Sequence, residues 1–176
     1  MVVVFKKVSE GYVMNAKAAK KEWPKAVVFD PTLGGAMEMF DPAFALGKIK
    51  VPGEKWLEAH SIMGIWEGLK IFSKKDVVDV SFMRDMKKVG KVRGCKSYGR
   101  MVGIKVGDEM IEGDENLKDF FRKLYKEVIG ERFKERIEKL GELDKEKVIV
   151  LLDYPEGGER YPVSHVEILK ELIENK

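Results

Sequence analysis

The sequence predicts an α/β fold in a single compact domain, with α+β as the alternative. Three observations carry the expectation: a strand–helix–strand signal at the N-terminal end, an unbroken apolar run at Val148-Ile149-Val150-Leu151-Leu152, and amphipathic helical segments between them. A chain of 176 residues lies in the usual size range of one domain. One domain over 1–176 is therefore expected, built on a small sheet with several packed helices.

Val2 to Val8 is β-branched and aromatic, hence a strand. Ser9 can cap a helix from about Glu10 to Trp23, where Pro24 ends it. Ala26 to Phe29 is a second short strand, and the three segments together predict a βαβ unit with parallel pairing. Asp30-Pro31-Thr32 and Gly34-Gly35 break regular structure. Met39 to Pro52 is a long irregular segment, because Pro42, Gly47 and Pro52 forbid a long helix; Ile49-Lys50-Val51 within it alternates like an edge strand.

Ser61 to Phe72 has Ile62, Ile65, Trp66, Leu69 and Phe72 at helical spacing and predicts a helix. Gly64 and Gly68 sit four apart on it, each costing about 1 kcal/mol against alanine, which predicts a close approach to its backbone, by a neighbouring element as the commoner cause or by a ligand. Val77 to Phe82 reads equally as strand or short helix. Leu117 to Leu140 is a strongly amphipathic helical region with a break expected at Gly130. The run 148–152 is expected as a strand buried on both faces. Ser164 caps a last helix through Leu172.

Composition sets the class. Hydrophobic residues make up 44% of the chain, enough for a core, and no apolar run approaches the roughly 18 residues of a membrane span. The run Met1 to Phe5 is too short for a signal sequence and meets Lys6-Lys7 at once. Cys95 is a single cysteine, so no intramolecular disulfide forms, which fits a reducing cytoplasm. The 36% charged fraction, mostly Lys and Glu, resembles heat-adapted composition. Net charge is only +3, yet Arg84, Lys87, Lys88, Lys91, Arg93, Lys96, Arg100 and Lys105 face Asp85 alone between positions 84 and 105. A cluster of that density attracts phosphate on a nucleotide, a sugar phosphate or a nucleic acid; the competing explanation is a solvated face of a lysine-rich chain. Lys87, Lys88, Arg93 and Arg100 are the candidate phosphate-binding residues.

Few catalytic motifs survive inspection. His60 and His165 lie far apart and Cys95 has no ligand at metal spacing, so no metal centre is expected, nor any cofactor. No phosphate-cradling glycine fingerprint and no serine nucleophile elbow occurs. Asp30 and Asp153 each follow an apolar strand, the end at which parallel sheets bind ligands, although turn or helix capping explains them equally. Glu67 and Lys70 share one side of a helix, where an i,i+3 ion pair is the simplest account. Ser164-His165 opens a helix, a position that favours an anion or, more simply, a capping serine beside a surface histidine.

Several segments carry a family likeness. Trp23 to Thr32, Pro42, Ile49 to Pro52 and Ser61-Ile62-Met63-Gly64-Ile65-Trp66-Glu67-Gly68-Leu69-Lys70-Ile71-Phe72 resemble an uncharacterised prokaryotic domain family. That family reads Ser-Pro-Phe-Tyr-Pro-His-Gly-Gly-Ile-Pro-Val-Pro, then Ser-Val-Glu-Gly-Ile-Trp-Gln-Gly-Leu-Lys-Val-Phe. The likeness continues through Gly90-Lys91-Val92, Gly94, Arg122, Tyr125, Leu151-Leu152-Asp153 and Pro162-Val163-Ser164-His165. The family's loop and helix are in turn similar to the NADAR superfamily, N-glycosidases that cleave the base-to-ribose bond of nucleotide-derived metabolites or ADP-ribosylated guanine. The resemblance implies a pocket lined by the Asp41–Pro52 loop, with Phe44, by the Ser61–Lys70 helix, with Ser61, and by the basic stretch. An enzymatic reading places Glu67, Lys70, Asp153 and His165 near the reacting centre.

The chain also departs from the pattern. Met63 stands where the family has its helix glutamate, Ala43, Phe44 and Leu46 replace loop residues, and Cys95 replaces a histidine. An N-glycosidase needs a carboxylate at the anomeric carbon, and Met63 supplies none. The expected function is thus binding of a phosphorylated nucleoside or nucleotide-derived metabolite by a degenerate N-glycosidase-like protein. An active hydrolase using Glu67 is one alternative, and a protein- or nucleic-acid-binding module is another. A small phosphorylated ligand is the expected partner, nucleic acid a further candidate, and no membrane is expected; oligomeric state stays open.

Overall fold

A computed structural model describes residues 2–7, 16–29, 38–88, 91–93, 95–142, 148–153 and 161–175. In chain order its elements are β1 (Val2–Lys7), α1 (Ala16–Glu22), β2 (Val27–Phe29), β3 (Ile49–Lys50), β4 (Glu58–Ala59), α2 (Ile62–Leu69) and β5 (Lys70–Phe72). There follow α3 (Ser81–Arg84), α4 (Cys95–Tyr98), β6 (Met101–Val106), β7 (Glu109–Ile111), α5 (Asp114–Arg132), α6 (Lys134–Gly141), β8 (Val148–Asp153) and α7 (His165–Glu174). One parallel and two antiparallel sheets beside helices make the class α+β, the alternative the sequence left open. The chain forms two compact units: residues 1–41 with 125–176, and residues 42–124. No helix among the described residues is long and apolar enough to cross a membrane.

The first unit is built around β8. It lies between β1 and β2 and pairs in parallel with both, so Val150 faces Val4 on one side and Val28 on the other. The expected strand–helix–strand signal is therefore split: β1 and β2 do not pair with each other, because the most apolar strand of the chain takes the centre. Ile149, Val150, Leu151 and Leu152 are fully buried, as a run apolar at every position requires. Ala19 of α1 packs on Val150 and Leu152, and Val166, Ile168, Leu169 and Ile173 bury the apolar stripe of α7. Ser164 caps α7 by accepting from the Glu167 N–H at 3.2 Å, as its position before the periodic run predicts. The long helical region breaks at Phe133 (φ −121°, ψ 24°) rather than at Gly130, which α5 carries in its interior.

The second unit is antiparallel. β5, β6 and β7 form one sheet and β3 pairs with β4 in another. The sequence placed 101–105 in the basic stretch and gave 106–111 no element, yet these residues form β6 and β7, turning at Gly107 (φ 59°). Residues 77–82, ambiguous between strand and helix, lead into the short helix α3. α2 is the centre of the unit: every one of its residues is buried.

Candidate functional site

Ser61 opens α2. Its side chain accepts from the Gly64 N–H at 2.9 Å, and the residue is fully buried. The hydroxyl expected to meet a ligand is thereby a helix cap. The loop before α2 is tied to it: the Met63 N–H donates to Pro42 O at 2.8 Å, and the Leu46 N–H to His60 O at 2.8 Å. Phe44 lies half-buried in that loop. Met63 is fully buried.

The two helix glycines have a definite neighbour. A Cβ on Gly64 would lie 2.7 Å from Phe82 O, and one on Gly68 would lie 2.6 Å from Met83 Cε. The Asp79 N–H donates to Gly68 O at 2.8 Å. The segment running into α3 thus rests on the glycine face of α2, the close packing that the spacing predicts.

The expected helix does not reach Phe72. Lys70 adopts ψ 133° and starts β5, with Lys70 opposite Ile104 and Ile71 opposite Gly103 in β6. No glycine closes α2. Instead the Arg93 side chain caps it from 23 residues away: Nη1 donates to Lys70 O at 2.6 Å and to Glu67 O at 3.2 Å, and Nη2 reaches Val77 O at 3.4 Å. Glu67 O and Lys70 O lie at the end of α2, where carbonyls are left without intrahelical donors. The guanidinium lies 4.9 Å from the Phe72 ring centroid and 5.5 Å from that of Tyr98.

That arrangement gathers three charges in the interior. Glu67 Oε1 accepts from Lys70 Nζ at 2.5 Å and Glu67 Oε2 accepts from the Arg93 backbone N–H at 2.9 Å. Glu67 is fully buried, Lys70 is 5% exposed and Arg93 2%. One carboxylate therefore faces two cations. Burial lowers the proton affinity of Arg93, opposed by Asp79, Tyr98 and Glu67, and a guanidinium stays charged throughout. For Asp79 burial raises the pKa, but the Ser81 hydroxyl and N–H, then Arg93 and Lys88, outweigh it and leave the net shift downward.

Arg93, expected on a phosphate-binding surface, is instead buried, with Nη1 and Nη2 donating to backbone carbonyls. Lys88 is half-buried, donating to Ser81 Oγ at 2.6 Å and lying 5.0 Å from the Phe82 ring centroid. Lys87 and Arg100 are exposed, as are Arg84 and Lys91. Ser164 and His165 belong to the first unit, where His165 packs 5.6 Å from the Tyr161 ring and 6.1 Å from the Tyr125 ring. Asp153 ends β8 opposite Lys7, with its side chain outside the described residues, and Asp30 lies outside them altogether. Among the described residues no cluster of three or more His, Cys, Asp or Glu could hold a metal ion.

Two buried nitrogens of this region make no hydrogen bond: Trp66 Nε1 and Arg93 Nε. Trp66 is 3% exposed, packs edge-on to Phe121 at 5.6 Å, and has the Lys70 ammonium 5.3 Å from its ring centroid. Sequence reasoning placed Trp66 in the core from its helical phase, which accounts for the ring and leaves the N–H unexplained.

A family model matches residues 13–169, most of the chain. The chain belongs to DUF6939, a family of unknown function. No curated protein and no solved structure matches it.

Proposed function

We propose that this protein binds a phosphorylated nucleoside or nucleotide-derived metabolite and does not cleave it. The observation that carries the reading is the state of Glu67. Both its oxygens are engaged, by Lys70 Nζ and by the Arg93 N–H, and the residue has no exposed surface. A carboxylate that stabilises an oxocarbenium ion or activates water must sit within about 3 Å of the reacting group. Glu67 instead pairs with the Lys70 ammonium and holds the Arg93 backbone, and Met63 offers a buried thioether one turn earlier.

What the cluster has to spare is positive charge. Two buried cations against one carboxylate leave an excess that an anion offsets, since an unbalanced buried charge is costly. Exposed Lys87, Arg84, Lys91 and Arg100 add an attractive field at the surface. The similarity of the resembled family's loop and helix to the NADAR superfamily points to a nucleotide-derived metabolite as the ligand class. Mass spectrometry of the purified, denatured protein tests this: a co-purifying nucleotide or sugar phosphate is expected, and a preparation that neither carries nor takes up any such molecule contradicts it.

A nucleic-acid-binding module is a second reading, favoured by Trp56. This side chain is 91% exposed in the connection between β3 and β4, a hairpin that also carries exposed Lys48, Lys50 and Lys55. Aromatic faces beside lysines stack bases without sequence preference. Quenching of Trp56 fluorescence by a single-stranded oligonucleotide, lost in Trp56→Ala, would support it; an unchanged spectrum removes it.

A further inference from the structure

Lys70 is the cation of the buried cluster with donors to spare. An ammonium has three N–H groups, and among the described residues Lys70 uses one, on Glu67. Arg93 is more nearly committed: Nη1 and Nη2 are bound to backbone carbonyls and the guanidinium is held beside Phe72 and Tyr98, with Nε alone lacking an acceptor. Glu67 cannot serve Lys70 further, because its second oxygen belongs to the Arg93 N–H.

Beside Lys70 stands a second unspent donor. The Trp66 indole N–H is buried and has no acceptor, and buried polar groups in native proteins are nearly always paired. Ring rotation cannot relieve it, because Trp66 is 3% exposed and wedged edge-on against Phe121. The Lys70 ammonium lies 5.3 Å from the same ring. Two donors of neighbouring residues, one charged and both buried, await an acceptor.

The charge count defines that acceptor. Glu67 against Lys70 and Arg93 leaves one positive charge. Counting the half-buried Asp79 and Lys88, which share Ser81, leaves the same single excess. One negative charge balances the cluster, and a second would be buried without a partner.

We infer that Trp66 and Lys70 form a subsite for one singly charged anionic group of the ligand, such as a phosphodiester or the bridging phosphate of a diphosphate. This rests on the nucleotide-binding reading above and names the group it recognises. Trp66 is then a binding residue through its N–H and a core residue through its ring.

The test uses the full chain with two probes at about pH 8, where a phosphomonoester carries close to two charges: AMP, and cyclic AMP with one. Cyclic AMP is expected to bind the more tightly, and Trp66→Phe, which keeps a ring against Phe121, to weaken it about tenfold, the loss of one charge-assisted hydrogen bond. A second measurement needs no variant at position 66. The chain has three tryptophans, and replacing Trp23 and Trp56 in turn assigns the Trp66 indole N–H resonance in a nitrogen-15 spectrum. That resonance is expected to shift downfield on adding cyclic AMP. Binding that leaves the Trp66 resonance and the Trp66→Phe affinity unchanged overturns the subsite while the nucleotide reading stands. AMP bound as tightly as cyclic AMP overturns the single-charge assignment. A wild-type protein that binds neither probe overturns the subsite together with the function it rests on.

Discussion

Lys70 Nζ and Glu67 Oε1 meet at 2.5 Å across the point where α2 becomes β5, with both side chains closed to solvent. Three residues apart in sequence, they lie in different elements: Glu67 in the last turn of the helix, Lys70 in the first residue of a strand. The pair is therefore a property of the junction, and Arg93 holds the junction.

Glu67→Gln is expected to cost about 3–5 kcal/mol, the range for removing one partner of a buried ion pair. Lys70 and Arg93 would then stay buried with no carboxylate. The double variant Glu67→Gln, Lys70→Met should recover part of the loss. Urea unfolding of all three proteins measures it, and an unchanged midpoint for Glu67→Gln means the carboxylate is not holding the cations.

Glycine substitutions should split by location. Gly64→Ala puts a Cβ 2.7 Å from Phe82 O, a backbone atom that cannot step aside. Overpacking of this kind costs about 1–3 kcal/mol and outweighs the gain in helix propensity. Gly130→Ala meets only Leu172 Cδ2 at 3.8 Å inside α5. It should stabilise by about 0.5–1 kcal/mol. Thermal melts of both variants check the pair; equal shifts of one sign would show that α3 does not rest on α2.

Charge reversal separates surface from interior. Lys87→Glu with Arg100→Glu should weaken nucleotide binding, most in low salt, and leave the melting temperature near that of wild type. Arg93→Met should instead lower the melting temperature, because Lys70 O and Glu67 O lose their donor. Salt-independent binding in the double reversal would mark Lys87 and Arg100 as ordinary surface.

Alkaline stability belongs to the first unit. Burial, then Asp41 and Tyr161, raise the Tyr125 pKa well above its ordinary value, and its hydroxyl donates to Phe40 O at 2.7 Å. A raised folded-state pKa contributes stability that is fully present below the unfolded value of about 10 and lost as pH rises through the folded one. Stability measured upward from about pH 10 should therefore fall, and less steeply in Tyr125→Phe. Equal slopes would mean that Tyr125 ionises freely in the folded state.

Local signals in the sequence were enough for several elements. The run 148–152 reads as a doubly buried strand because no position is polar, and Ser164 reads as a cap because a periodic apolar stripe follows it. Ser61, expected to meet a ligand, has the same local signal and caps α2. Distant partners decided the rest. Lys70-Ile71-Phe72 continues the helical phase of Ile62 and Trp66 equally well as a strand; β6 alongside and an arginine 23 residues on settle it. The same arginine misled the charge count, since a basic residue among lysines gives no local sign that its guanidinium is spent on carbonyls. In β6, Gly103 and Lys105 hide a strand whose glycine faces Ile111 O. The unpaired Trp66 N–H leaves no mark in periodicity at all, because a helical phase places a ring and not its nitrogen.

Whether the protein binds without cleaving is tested most directly by following both events in one sample. The wild-type chain is titrated calorimetrically with a panel of nucleotides and nucleoside diphosphate sugars, and each mixture is then analysed by chromatography for free base. Saturable binding of at least one member of the panel with no base released is the expected result. Base released by the wild type, and no longer released by Glu67→Gln that still folds, would contradict it and assign Glu67 a catalytic role.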